Sequence, residues 1–349
     1  MMQKNRNLSL DIIRTVAVIF TITVHFVTNS GFLGIQMQGA GSFAMLLVWL
    51  LSKTCVPLFL MLSGYLCLNK KLSLSYYLGI VRIMVIYVFT AAVCLVFEHF
   101  VKGQEMGLRY IFGSIVNFYA GEYGWYVSLY LGLFIMMPFL NAMYHALETQ
   151  GKKLALLVSF FAVSMLPSLL NTYIQLYSLW WDKLWPITLY FTGAYLREYK
   201  PKMAAKKLGL LLCVVLMGFA GFDVVLFKGN GALANTIDYA HYQNYFISLL
   251  TFAFMLKIPV EKLSPAIGKG FAKISELSFA IYLLSSVSDG AIYPRFAQLV
   301  PEYTDRYIWL PVMVGLSFVI ALVLAWLSSF VYEPVIRIIK GFFEKRIKE

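Results

Sequence analysis

Residues 10–26 read LDIIRTVAVIFTITVHF. The run is apolar enough to cross a bilayer, yet it carries Asp11, Arg14 and His25. Charge in hydrocarbon is expensive, so ionisable side chains within a membrane helix ordinarily face a bundle interior and mark a function. A helix turns about 100° per residue, which puts Arg14 near 300° and His25 near 320° when Asp11 is set at 0°. Val18 and Thr21 fall on the same stripe, whereas Ile13, Phe20 and Val24 point elsewhere. Eleven residues separate Arg14 from His25, roughly 16 Å along the axis. One polar seam is therefore expected along much of this helix. Histidine changes charge near neutral pH, which suits a general base. In the bland alternative, Asp11 and Arg14 snorkel to the inner interface and His25 is a hydrogen-bonded packing residue; the shared face favours the functional stripe.

The 349-residue chain is 60% hydrophobic and only 13% charged, with mean hydropathy +0.74. Such a composition excludes a soluble globular domain. Apolar runs of about 18 residues or more recur from end to end, so the fold class is an all-α integral membrane bundle. The alternating ten-residue segments of an outer-membrane barrel are absent. Spans are expected near 9–29, 43–68, 78–98, 124–146, 154–173, 184–197, 208–227, 242–257, 276–293 and 309–331, about ten in a single domain covering 1–349. Glu333-Pro334 is expected to end the last one, since proline disfavours helix at the residue before it. The outer stretch YIFGSIVNFYAGEYG is apolar but too short to cross, which suggests an interfacial or re-entrant segment. The start MMQKNRN resembles a signal peptide, but no small-x-small site closes the apolar run that follows, so cleavage is not expected.

The formal net charge of +12 lies in short loops rather than on one patch, so it reports topology and not nucleic-acid binding. Cations gather at Lys4 and Arg6, Lys70 and Lys71, Lys152 and Lys153, Arg197 to Lys207, Lys257 to Lys273, and Arg337 to Lys348. The positive-inside rule then places both termini in the cytoplasm. Trp180, Trp181 and Trp185 of WWDKLWP suit an aromatic belt at the outer interface. The four cysteines, Cys55, Cys67, Cys94 and Cys213, form no CxxC pair and read as small buried hydrophobes, with no metal site.

The L-D-x-x-R pattern followed by His25 resembles the opening of the acyltransferase-3 family of membrane acyltransferases. Further echoes follow in order: VPLFLMLSGYL at 56–66, LGIVRIMVIYV at 78–88, GWYVSLYLGLFIMMPFL at 124–140, ITLYFTGAYL at 187–196, ISELSFAIYLLS at 274–285 and YEPVIR at 332–337. The resemblance covers nearly the whole chain. It implies transfer of an acyl group, commonly acetyl from cytoplasmic acetyl-CoA as co-substrate, to a hydroxyl of an extracytoplasmic cell-envelope glycan or related acceptor. By the same resemblance His25 activates the acceptor hydroxyl or relays the acyl group, and Arg14 orients the donor. Where the family often carries two arginines three apart this chain has Gly79 and Arg82, and where it often ends a motif with histidine this chain has Ser285.

Other residues join this reading by position. Arginine offers a fork of donors suited to CoA phosphates, so Arg82, with Lys70 and Lys71, is a donor-side candidate, although a positive-inside anchor explains it too. Ser63 and Tyr65 of SGYL are candidates on the same side, with close helix packing the bland reading. Glu122 and Trp125 of GEYGWY form a carboxylate and aromatic pair suited to a sugar, Lys53 to a substrate or carboxylate partner, and Tyr282 to a hydrogen bond. Asp223 is read as a buried partner for a cation. The partners expected are the lipid bilayer, acyl-CoA, an envelope glycan and, as a further candidate, a second copy in a homo-oligomer, in a bacterial plasma membrane. Two other functions are open from the residues: a transporter or flippase using the same stripe as a relay, against which no inverted repeat is visible, and a non-catalytic partner of a glycan-synthesis complex.

Overall fold

A computed structural model describes residues 6–34, 39–171, 174–227 and 238–348, the side chains of 226, 227 and 345–348 excepted. Lys4 and the last two residues of the expected span 154–173 lie outside them. The described residues form helices α1 (Leu8–Asn29), α2 (Gly39–Ser52), α3 (Cys55–Cys67), α4 (Leu74–Tyr77), α5 (Gly79–Phe100), α6 (Leu108–Val116), α7 (Trp125–His145), α8 (Gln150–Ser164), α9 (Pro167–Leu170), α10 (Trp185–Glu198), α11 (Ala205–Phe227), α12 (Tyr242–Met255), α13 (Pro265–Leu299) and α14 (Leu310–Lys348). Helix is the expected answer for such a chain, because no water is present in hydrocarbon to satisfy a broken backbone ladder. Among the described residues seven stretches are long and apolar enough to cross a membrane: Leu8–Asn29, Gly39–Cys67, Leu74–Phe100, Trp125–His145, Gln150–Leu170, Ala205–Val225 and Tyr303–Glu344. The remaining expected spans are not of that kind. Helices α10 and α12 have 14 residues each, about 21 Å at 1.5 Å per residue against roughly 30 Å of hydrocarbon.

The chain folds as two compact units. The first comprises Met1–Leu68, Met143–Ser275 and Val300–Pro311; the second, Asn69–Ala142, Glu276–Leu299 and Val312–Glu349.

In the first unit α3 packs most closely on α10, and α12 touches α1, α2, α3, α10 and α11. Gly64 and Gly193 make the α3 and α10 crossing. A Cβ on Gly64 would run into the Tyr190 carbonyl, and one on Gly193 into the Met61 carbonyl. Backbone therefore meets backbone twice, the close approach that small residues permit between membrane helices. Ile13, Ile22, Phe26, Trp49, Tyr190, Phe191 and Phe252 are fully buried around this contact network. The expected span 43–68 is interrupted at Lys53 and Thr54, and Pro57 supplies the reason: it has no amide to give the Lys53 carbonyl four residues earlier. Trp185, expected at an interface, is instead buried, with its ring stacked on Tyr239 at 5.9 Å; Trp180 and Trp181 are exposed. Two cations placed in loops are also buried. Lys153 binds both carboxylate oxygens of Glu198 at 2.7 and 2.8 Å, and Arg306 donates to the carbonyls of Ser30, Val300 and Pro301 at 2.8–3.1 Å. Of the four cysteines, Cys55 and Cys94 are buried as expected, whereas Cys67 is half-buried and Cys213 is exposed.

In the second unit Tyr76 stacks on Phe134 at 4.6 Å and donates its hydroxyl to the Phe134 carbonyl. Helix α6 occupies part of the stretch read as interfacial; its nine residues fall short of a crossing, and Leu108, Phe112 and Val116 are exposed. Helix α14 runs through Pro334 to Lys348, so Glu333-Pro334 does not end it. One missing amide interrupts a ladder at a single place, and in an otherwise apolar helix resuming the ladder satisfies more backbone groups than stopping.

Candidate active site

Helix α1 begins where Asn7 caps it, the side chain accepting from the Ser9 amide at 3.0 Å. Asp11 lies one turn in, buried, and is held by Arg6 through two bonds of 2.6 and 3.0 Å; Arg6 also donates to the Ala272 carbonyl. Arg14 donates to the Ser275 hydroxyl at 2.8 Å. Thr21 is buried on the same stripe and returns its hydroxyl to the Ala17 carbonyl. His25 is buried near the far end of the helix, 7% exposed, within the first unit. The three stripe residues thus all lie inside or at the edge of the first unit's packing, and Asp11 serves as the counter-charge of Arg6.

Lys53 sits at the interruption between α2 and α3 and is buried to 4% exposure. Its ammonium lies 3.5 Å from the centre of the Tyr239 ring and 5.2 Å from that of Trp49. Aromatic faces attract a desolvated cation through the ring quadrupole, so π density is among the partners of this lysine. Cys55 approaches the Tyr239 hydroxyl at 3.7 Å. Ser63 returns its hydroxyl to the Phe59 carbonyl, while the carbonyl of Tyr65 accepts from Arg197. Asp223 is buried, but the group that meets it is an amide rather than a cation: Gln243 donates to it at 2.7 Å.

The second unit holds the remaining candidates. Arg82 makes a two-pronged ion pair with Glu333 at 2.5 and 2.9 Å, and both side chains are about one-third exposed. The guanidinium fork is therefore matched to a carboxylate within its own unit. Lys70 and Lys71 are exposed. Glu122 and Trp125 are exposed at the end of a segment that is fixed in several places. Phe118 and Gly121 take positive φ of 60° and 79°, the Glu122 amide donates to Ser286 at 3.3 Å, and Tyr123 donates its hydroxyl to Asp289 at 2.8 Å. Tyr282 is buried and donates to the Tyr123 carbonyl at 2.7 Å, so its hydroxyl shapes this segment. Ser285 donates to the Tyr282 carbonyl. Sequence reasoning missed Asp289, a buried carboxylate that also accepts from Ser317 at 2.7 Å. A lone aspartate in an apolar helix was the available signal.

An ion pair this exposed is worth at most about 1 kcal/mol. Removing either partner is accordingly expected to leave the unfolding temperature within a few degrees. If Arg82 also contacts a phosphate-bearing ligand, Arg82→Ala weakens that ligand's binding about tenfold and Glu333→Gln does not. Equal, small effects of both variants on that binding would leave only the ion pair.

These features define a multi-pass helical membrane protein whose first helix carries a buried Asp11 and His25 with a half-buried Arg14 on one stripe. The acyltransferase-3 family pattern, described as an acyltransferase domain, matches residues 7–330, and the chain belongs to this family. It is a membrane acyltransferase. No curated protein and no solved structure matches it.

Proposed function

We propose that the chain moves an acetyl group from cytoplasmic acetyl-CoA to a hydroxyl of an extracytoplasmic envelope glycan, both units carrying one acyltransferase domain. The observation that carries this reading is the burial of His25 on the same helix as Arg14 in a chain of this family. A neutral imidazole can take the proton of an attacking hydroxyl, and transfer of that proton in the transition state is worth about 10²–10⁴ in rate. Arg14 orients the donor, and Asp11 neutralises Arg6 at the entry to the helix. Lys70, Lys71 and Arg82 are the donor-phosphate candidates, with Ser63 and Tyr65 shaping the end of α3. Glu122 and Trp125 offer the acceptor a carboxylate and a ring face, Tyr282 holds their segment, and Lys53 is a further acceptor-side cation. We further propose about ten membrane crossings, both termini in the cytoplasm, a bacterial plasma membrane and a capacity for homo-oligomers.

The test is a reconstituted vesicle containing the purified full chain, acetyl-CoA labelled in the acetyl group on one side and envelope glycan on the other. Label on the glycan is the expected result. Movement of intact substrate across the membrane without label transfer would instead identify a transporter.

A further inference from the structure

Membrane helices usually satisfy serine and threonine by returning the hydroxyl to a carbonyl three or four residues back. This chain does so repeatedly: Thr15 bonds Asp11, Thr23 bonds Ile19, Thr90 bonds Ile86, and Thr192 bonds Thr188, at 2.8–3.0 Å. Helix α12 departs from the habit. Ser248 and Thr251 are 0% and 3% exposed, and neither hydroxyl has a partner among the described residues. Asn244, 4% exposed, leaves its side-chain oxygen equally unpaired. With Asn244 at 0°, Ser248 falls near 40° and Thr251 near 340°, so the three form one stripe about 10 Å long. Buried polar groups are otherwise almost always hydrogen-bonded, and a row of three exceptions on one face points to something polar beside it. Gln243, on another face, donates its amide to Asp223, while its own side-chain oxygen and the second Asp223 oxygen have no partner among the described residues.

Helix α12 packs against α1, which carries Arg14 and His25, within the same unit. We infer that Asn244, Ser248 and Thr251 line the path of the donor's pantetheine arm, an inference that rests on the reading of acyl-CoA as donor. The arm is a slender chain whose amides, hydroxyl and thioester carbonyl are spaced by methylene groups. Three hydrogen-bonding groups in a row among apolar neighbours match that alternation. A sugar ring, with a hydroxyl on nearly every carbon, asks for a denser polar lining than one stripe supplies.

The experiment measures equilibrium binding of acetyl-CoA and of adenosine 3′,5′-bisphosphate, which lacks the arm, to the purified full chain. The triple variant Asn244→Leu, Ser248→Ala, Thr251→Val is expected to weaken acetyl-CoA binding at least tenfold, to leave the bisphosphate unchanged, and to keep the unfolding temperature at or above that of the wild type. The near-isosteric Thr251→Val alone, expected to weaken acetyl-CoA about threefold, serves if the triple variant misfolds. Thr90→Val, which removes an already paired hydroxyl, is the control and is expected to change neither affinity. Unchanged acetyl-CoA affinity in a folded variant would mean that the stripe holds water only and would overturn the inference, as would equal loss for both ligands. A wild-type chain that binds neither ligand would overturn the acyl-CoA reading itself, and the inference with it.

Discussion

His25→Ala is expected to lower acetyl transfer at least about 100-fold while the protein still purifies as a folded, monodisperse species. The magnitude follows from the loss of a positioned proton acceptor, worth about 10²–10⁴. The fold should survive because α1 is anchored elsewhere: by the Asn7 cap, by the Arg6–Asp11 pair and by Arg14 on Ser275. Ile13, Val18, Ile22 and Phe26 remain buried around it. The measurement pairs label transfer with a thermal melt in detergent. Transfer at the wild-type rate would exclude His25 as base or relay. A collapse of the melt would assign it to packing. His25→Gln, which keeps a polar side chain of similar size, should preserve the melt and still lose transfer.

The second large effect is on folding. Gly64→Val and Gly193→Val should each prevent α3 and α10 from docking, because the added carbons meet carbonyls of the facing helix rather than flexible side chains. Overpacking usually costs about 1–3 kcal/mol, and here the neighbour is backbone, so about 3 kcal/mol or more is expected. Size-exclusion chromatography and thermal unfolding would read this as aggregation or a lost transition. Gly132→Val and Gly218→Val, at glycines with open space around the new Cβ, should stay within the small range typical of surface changes, about 0.5 kcal/mol. Normal folding of Gly64→Val would refute the crossing geometry.

The helical membrane class was legible in composition alone, and the stripe of α1 in simple helical arithmetic. The interruption before α3 was legible in principle, since Pro57 withholds an amide from Lys53. Other features were not. Arg82 and Glu333 are 251 residues apart in sequence, and nothing local announces their pairing. Trp185 and Trp181 are near neighbours in one aromatic cluster, yet one is buried and the other exposed; only tertiary packing separates them. Pro334 misled because its breaking power is judged from helices in water, where a lost bond is replaced by solvent. Ser248 and Thr251 read as ordinary hydroxyls, since sequence does not reveal which of them fold back on their own helix.

The aromatic seat of Lys53 has a consequence for how the chain is made. The stretch Gly39–Cys67 carries a lysine and a proline side by side with its oiliest residues, and a lysine at mid-membrane adds roughly 2.5–3.5 kcal/mol to partitioning from the translocon. Trp49 belongs to the same stretch, but Tyr239 arrives nearly two hundred residues later in synthesis. Until then the ammonium lacks that ring, so the aromatic seat of this segment is completed only after synthesis has passed Tyr239.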